Sequence, residues 1–341
     1  MAMNKLFITD LELKGKKVFV RVDYNVPFDD HGNITDDARI RATLPTLNYL
    51  LDEGAKIILA SHLGRPNGKV VPSLSVQPIA KRLHRLLDKE VMFAKDCIGP
   101  EVEKKINTMQ EGDILLLENL RFHREEQEND PVFAKALVGP CDVYIQEAFG
   151  NCHRKHASMV SINGAIQKSA AGFLLKKEID YFEKAVNNPL RPLVALIGGA
   201  KVVDKIKIIE NLVKKVDKLI IGGAMSFPFL NVHGYGVGQA KIDETVIVKV
   251  MMINKLAKER GVKIYLPVDF VVADNFDKPA ETKVATFQEI PDDWYALDIG
   301  PASTKLVAEA MQNAKTVIWI GPMGAFEMDA FSRGTYAMVE S

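Results

Sequence analysis

The sequence predicts an α/β protein built as two doubly wound parallel-sheet domains joined by a hinge helix, and three observations predict it. At 341 residues and 47% apolar, the chain is about twice the usual domain length and can bury two cores rather than one. Short β-branched runs alternate with amphipathic helical stretches from end to end, the pattern of parallel sheets covered by helices on both faces. One break bracketed by prolines, Asn187-Asn188-Pro189-Leu190-Arg191-Pro192, divides that pattern in two, because proline forbids helix and biases the residue before it to extended forms. The halves are therefore read as Rossmann-like domains over residues 1–172 and 191–341, with a helix and hinge over 173–190.

The expected strands of the first half are Lys17 to Val22, Lys56 to Ala60, Asp113 to Leu117 and Asp142 to Ile145. Those of the second are Leu193 to Ile197, Lys218 to Ile221, Lys263 to Leu266 and Thr316 to Ile320. Between them, Ile40, Leu44, Leu47 and Leu51 predict one buried helical stripe, and Val202, Ile206, Ile209, Val213 and Val216 a second. Phe173 to Val186 reads as the helix that feeds the break.

Lysine plus arginine and aspartate plus glutamate balance at 44 each, so no global field draws the chain to nucleic acid or anionic lipid. No apolar run reaches the ~18 to 20 residues of a membrane span, and the N-terminus lacks a signal peptide's apolar stretch. The expectation is a soluble cytoplasmic protein. Cys97, Cys141 and Cys152 are too few and scattered for a disulfide framework or a spaced zinc site, and Cys97 and Cys141 read as small buried hydrophobes.

In open α/β sheets ligands bind beyond the carboxyl ends of the strands, and the two halves differ there. Strands of the first half end in charge or imidazole: Arg21-Val22-Asp23-Tyr24-Asn25, Ser61-His62-Leu63-Gly64-Arg65, Glu118-Asn119-Leu120-Arg121 and the stretch from Glu147 to His153-Arg154-Lys155-His156. Arg39 and Arg41 add to them from a helix start. Gathered at one sheet edge, these residues suit a small, multiply anionic ligand, since guanidinium forks bind phosphate and carboxylate bidentately. A lone loop arginine is ordinarily just solvated; four strand ends agreeing is what points to a site.

Strands of the second half end in glycine: Gly198-Gly199-Ala200-Lys201, Gly222-Gly223-Ala224-Met225 and Gly321-Pro322-Met323-Gly324. Glycine lets backbone N–H groups approach phosphate oxygens, and a helix start beyond adds a positive dipole end. None of the three is a GxxxxGK(S/T) loop or a GxGxxG fingerprint, so each alone could be a tight strand-to-helix turn. Lys201 and Lys205, four residues apart, share a helix face. An anion site in one domain and a phosphate site in the other predict phosphoryl transfer between two bound ligands, with closure removing water. No obvious general base accompanies them, and an ionised carboxylate acceptor needs none.

The stretch Lys17-Val-Phe-Val-Arg21-Val-Asp23-Tyr-Asn25-Val-Pro27 resembles the signature of phosphoglycerate kinases. Ser61 to Pro66, Leu117 to Phe122, His153 to His156, Gly198 to Lys205, Leu266 to Asp274, Asp298 to Pro301 and Gly321 to Glu327 are similar to the family's other blocks, in the family's order. The resemblance implies that Asp23, Asn25, Arg39, His62, Arg65, Arg121 and Arg154 hold 3-phosphoglycerate or 1,3-bisphosphoglycerate, with Arg39 nearest the transferring phosphoryl group. It implies that Gly198, Lys201, Lys205, Gly222, Pro322 and Glu327 face ADP or ATP, with Mg2+ carried on the nucleotide and no metal held by the protein alone. Arg39, Lys201 and Lys205 would be the catalytic side chains, in a monomer.

The sequence departs from the family pattern at Ile320, where Asn is common, and at Ala224, where a third glycine is usual. Glu147 replaces Asp, and Asn151-Cys152 replace Thr-Ala. The family continues beyond a helix like Ala337-Met-Val-Glu-Ser341 into a Gly-Gly-Gly-Asp turn. The expectation is an active phosphoglycerate kinase seen as part of a longer chain; the alternative is a truncated paralogue that binds 3-phosphoglycerate with weak turnover. A nicotinamide-dependent dehydrogenase is disfavoured, for want of the glycine fingerprint and an acidic ribose partner.

Overall fold

A computed structural model describes residues 5–277 and 281–341. The chain divides into two compact units, the first ending at Tyr181 and the second starting at Phe182.

The first unit is built on a six-stranded, wholly parallel sheet of β1 (Lys17–Arg21), β2 (Lys56–Ala60), β3 (Val91–Phe93), β4 (Ile114–Leu116), β5 (Val143–Gln146) and β6 (Ser169–Ala171), in the order β3-β4-β2-β1-β5-β6. Its central strands read as unbroken apolar runs because both faces are covered. Val18, Val20, Ile57, Leu59, Ile114, Leu116, Val143 and Ile145 enter the core on one face. The alternate residues Phe19, Ile58, Ala60, Leu115 and Tyr144 enter a separate core on the other.

The expected helix from Ile40 to Leu51 is in fact two, Ala38–Arg41 and Leu44–Asp52. Pro45 opens the second, at a position where its missing N–H costs nothing. Ile40 and Leu47 are fully buried as expected, Leu44 and Leu51 only partly so, and Leu50 joins the buried face.

The second unit holds a four-stranded parallel sheet of β7 (Leu193–Ile197), β8 (Lys218–Ile221), β9 (Lys263–Tyr265) and β13 (Thr316–Ile320), ordered β13-β7-β8-β9. Alternate residues again serve two cores, Leu193, Ala195 and Ile197 on one face, Val194 and Leu196 on the other. The helix Val202–Leu212 buries Ile206 and Ile209 there as its stripe predicts, and Val213 and Val216 continue the same cluster past the helix end.

A feature absent from the sequence reading is a three-stranded antiparallel sheet, β11-β10-β12, of β10 (Asp269–Ala273), β11 (Thr282–Thr286) and β12 (Tyr295–Ile299). The second unit is thus a parallel sheet plus a small antiparallel one, not parallel throughout. Phe173–Phe182 is helical, and Glu183–Asn187 continues it as a wider π turn before the proline-rich break.

Candidate functional site

In the first unit, the ends of β1, β2, β4 and β5 bring the predicted anion-binding residues to one neighbourhood. Asp23 and Asn25 follow β1; the Asp23 carboxylate accepts a 2.7 Å hydrogen bond from Arg39 Nη1. Asn25 Oδ1 accepts the amide of Gly64 at 2.9 Å, and the Gly64 carbonyl in turn accepts Arg121 Nη1 at 2.8 Å. Gly64 sits at φ +60, where the backbone reverses and a Cβ would meet the Leu74 side chain at 2.7 Å.

Arg121 lies in the single turn Leu120–Phe122, held by Asn119. The Asn119 Oδ1 accepts the amides of Leu63 and Arg121, and its Nδ2 donates to the carbonyls of Leu63 and Leu74. The residue is therefore pinned to both the β2 and β4 loops. Burial, Arg154 and Arg21 together push its pKa down to about 10, with Arg65 adding to the repulsion.

His62, only 3% exposed, is held neutral, its pKa pushed far below the usual range by burial and then by Arg21, Arg121, Arg154 and His156. Its Nδ1, 3.3 Å from Arg21 Nη2, then accepts, which leaves Nε2–H as a donor. Among the described residues, Arg121 Nε and Nη2, Arg154 Nε, Asn151 Nδ2 and His156 Nδ1 are buried without a hydrogen-bond partner. Unpartnered buried donors are costly, and several repelling guanidinium groups call for an anion.

Beneath this basin lies a network whose acid the sequence reading missed. Arg21 Nε donates to Ser158 Oγ at 2.8 Å, and Ser158 Oγ donates to Glu126 Oε1 at 2.6 Å. Glu126 is wholly buried, 4.0 Å from Arg21 and 3.7 Å from His156. Burial by itself would raise its pKa, but His156, Arg21 and Ser158 outweigh it and hold the carboxylate below the usual range. Glu126 sits in Arg124-Glu-Glu-Gln-Glu128, which in sequence looks like any solvated helix turn.

Glu147, the other buried acid, has a different task. It accepts from Thr46 Oγ1 and from the amides of Leu174 and Leu175 at 3.0 and 3.1 Å, capping the helix Phe173–Phe182.

In the second unit the glycine turns lie together. Gly198 N donates to Ile320 O, and a Cβ on Gly198 would fall 2.0 Å from Pro322 O. Lys205 Nζ donates to Gly198 O at 2.7 Å and lies 2.5 Å from where a Cβ on Gly199 or Gly321 would stand. Those two glycines take φ +100 and +81, conformations that disfavour a side chain, and at Gly321 the Gly198 carbonyl oxygen also crowds the Cβ position at 2.6 Å. A Cβ on Gly222 would strike Met323 Sδ at 2.4 Å. Ile320 packs into the parallel-sheet core, and Glu327 is exposed.

Lys201 opens onto a cavity of about 500 Å³, lined also by Ala224, Phe227, Phe276, Tyr295 and Leu297. Apart from Lys201, the residues predicted for the nucleotide lie outside its lining, and its apolar walls went unread. Apolar residues there carry the same pattern as core.

A family model for phosphoglycerate kinase matches residues 8–341. A phosphoglycerate kinase of Geobacter metallireducens is 59% identical over 336 residues, 98% of this chain and 84% of the relative. That of Aquifex aeolicus is 52% identical over 333 residues, again 98% and 84%. The solved structure of phosphoglycerate kinase from Coxiella burnetii superposes with a TM-score of 0.84 at 35% identity, covering 98% of this chain and 84% of that one. With the fold, the two sites and these similarities together, the chain belongs to the phosphoglycerate kinase family.

Proposed function

We propose that the first unit holds 3-phosphoglycerate through the residues around Arg121 and that the second holds MgADP or MgATP at its glycine turns. The reaction is that of the family, reversible phosphoryl transfer between 1,3-bisphosphoglycerate with ADP and 3-phosphoglycerate with ATP. The single observation that carries the assignment of the acceptor site is the set of buried, unpartnered N–H groups on Arg121 and Arg154 beside a neutral His62. A trianionic ligand would satisfy these donors and relieve the repulsion that pushes Arg121 down.

In this reading Arg121, Arg154, Arg65 and the His62 Nε2–H bind phosphate and carboxylate, and Asn25 fixes the Gly64 loop, whose carbonyl holds the Arg121 guanidinium. Asp23 aims Arg39 at the transferring group. The acceptor carboxylate is ionised at neutral pH, so catalysis reduces to in-line positioning and cationic stabilisation by Arg39, Lys201 and Lys205. Gly198, Gly222 and Pro322 let backbone approach the phosphates, and the cavity beside Ala224 and Phe227 takes the base. Mg2+ arrives on the nucleotide as part of the substrate, keeping most of its water. The role of Glu327 rests on the family pattern alone. A monomer working in the cytoplasm completes the proposal.

Calorimetry with 3-phosphoglycerate and with MgADP, beside a coupled turnover assay, tests it. Binding of both ligands with turnover is expected. Absence of 3-phosphoglycerate binding, or its retention at full strength in Arg121→Ala, overturns the site assignment.

A further inference from the structure

The first unit carries a second group of potential metal-ligating side chains that the phosphoryl-transfer site does not use. β3 and β4 are parallel neighbours, so the loops leaving their carboxyl ends meet, and they bring Asp96 and Cys97 from one to His123 on the other. One ligand atom from each lies within 4.8 Å of the other two. His123 Nε2 is 2.7 Å from Asp96 Oδ1. The thiol, by sequence a small buried hydrophobe, is one corner of a cluster of three different donor types.

We propose that Asp96, Cys97 and His123 form a binding site for a borderline-soft divalent cation of the zinc class. A hard ion such as Mg2+ or Ca2+ asks for six or more oxygens, whereas one sulfur, one imidazole nitrogen and one carboxylate oxygen match zinc with a fourth position left to water. A thiolate and a carboxylate also neutralise the dication, so the bound cluster carries no net charge. On binding, the Cys97 thiol releases its proton to solvent and its sulfur lone pair forms the bond to the metal. The His123–Asp96 hydrogen bond gives way to two further ligand bonds.

The surroundings hold all three: Asp96 Oδ1 accepts the Cys97 amide at 2.6 Å as well as meeting His123. Cys97 is 1% exposed and forms the floor. The His123 ring lies against Phe133, centroids 5.2 Å apart, which sets its plane. The Asp96 side chain is 53% exposed and borders a surface cavity of about 410 Å³ shared with Lys95, Gly99 and Lys105, which provides the entry path. Tetrahedral zinc places its ligand atoms ~3.3 to 3.7 Å apart. The His123–Asp96 pair, now 2.7 Å apart, has to open to that spacing, and the Cys97 sulfur, within 4.8 Å of both, has to close to it by small movements of the two loops.

The test is titration of the 341-residue chain with zinc against a competing chromogenic chelator, and with cobalt read by absorption. One equivalent per chain is expected, with a thiolate-to-cobalt charge-transfer band, and zinc should raise the thermal midpoint. Cys97→Ser and His123→Gln should each weaken binding at least about tenfold and lose that rise, whereas Cys152→Ser, which removes the exposed thiol, should bind as wild type does. His123→Gln, at a half-buried position, keeps the test decisive should Cys97→Ser fold poorly. The site is refuted by a wild-type chain that takes up no zinc, or by folded His123→Gln or Cys97→Ser protein that binds undiminished.

Discussion

Arg121 and Arg39 are both expected to serve the acceptor site, yet their surroundings predict different losses. Arg121 is buried, with Nε and Nη2 unpartnered, so its contribution is to hold a bound anion. Charge-assisted hydrogen bonds contribute ~1.5 to 3 kcal/mol each, and Arg121→Ala should weaken 3-phosphoglycerate binding by ~100-fold in calorimetry. Arg39 is half exposed and aimed only by Asp23. By analogy with other arginines that stabilise a transferring phosphoryl group, Arg39→Ala should cut kcat ~10³-fold with little change in affinity or thermal midpoint. Steady-state kinetics separate the two: an Arg39→Ala enzyme with unchanged kcat would remove that residue from the chemistry.

At the scale of elements, a buried carboxylate ties β10 to the helix that follows β12. Asp269, in β10, accepts the amides of Ala302 and Ser303 at 3.0 and 2.7 Å and the Ser303 hydroxyl at 2.6 Å, capping the helix Pro301–Met311. A Cβ at Gly300 would stand 2.3 Å from that carboxyl carbon, so the close approach needs glycine. Asp269→Ala would orphan buried helix amides and should cost ~3 kcal/mol, lowering the midpoint of this unit by ~6 to 12 °C in calorimetry. A shift under ~2 °C would mean that solvent replaces the cap. The sequence displayed the blocks around Asp269 and Asp298 but not the pairing that joins them. Central strands such as Lys17–Arg21 and Leu193–Ile197 were legible because burial on both faces leaves an unbroken apolar run. Val91–Phe93 and Ser169–Ala171 are three-residue edge strands with too few positions for any period, and Thr282–Thr286 exposes four of its five residues. For the site, charge at strand ends could be read directly. Its buried support, Glu126 and Ser158, could not, since nothing local distinguishes a buried glutamate from the solvated ones beside it.

For the whole molecule, one buried group in each unit responds to acid with opposite sign. His62 in the first unit has its pKa depressed below the unfolded value of ~6.5, so the unfolded chain binds the extra proton and stability falls as pH drops below that value. Between pH 7 and pH 5 this group removes ~2 kcal/mol. Asp298 in the second unit is 1% exposed, and burial raises its pKa to about 6 despite the amides of Gly334 and Ile299 that pull it down. There the folded state binds the extra proton, and the same acidification adds ~1 kcal/mol. Glu147, also raised by burial, works against His62 within the first unit, so the effect is isolated by comparing wild type with His62→Gln. Both tryptophans, Trp294 and Trp319, belong to the second unit, so their fluorescence follows that unit alone, while hydrogen exchange of β1 and β2 follows the first. From pH 7 to pH 5, His62→Gln should gain ~2 kcal/mol of exchange protection in β1 and β2 relative to wild type. Over the same interval the tryptophan urea midpoint of wild type should rise relative to Asp298→Asn. Equal protection in the first pair at both pH values would mean that His62 is not held neutral by its surroundings, and the neutral state assigned to it in the acceptor site would fall.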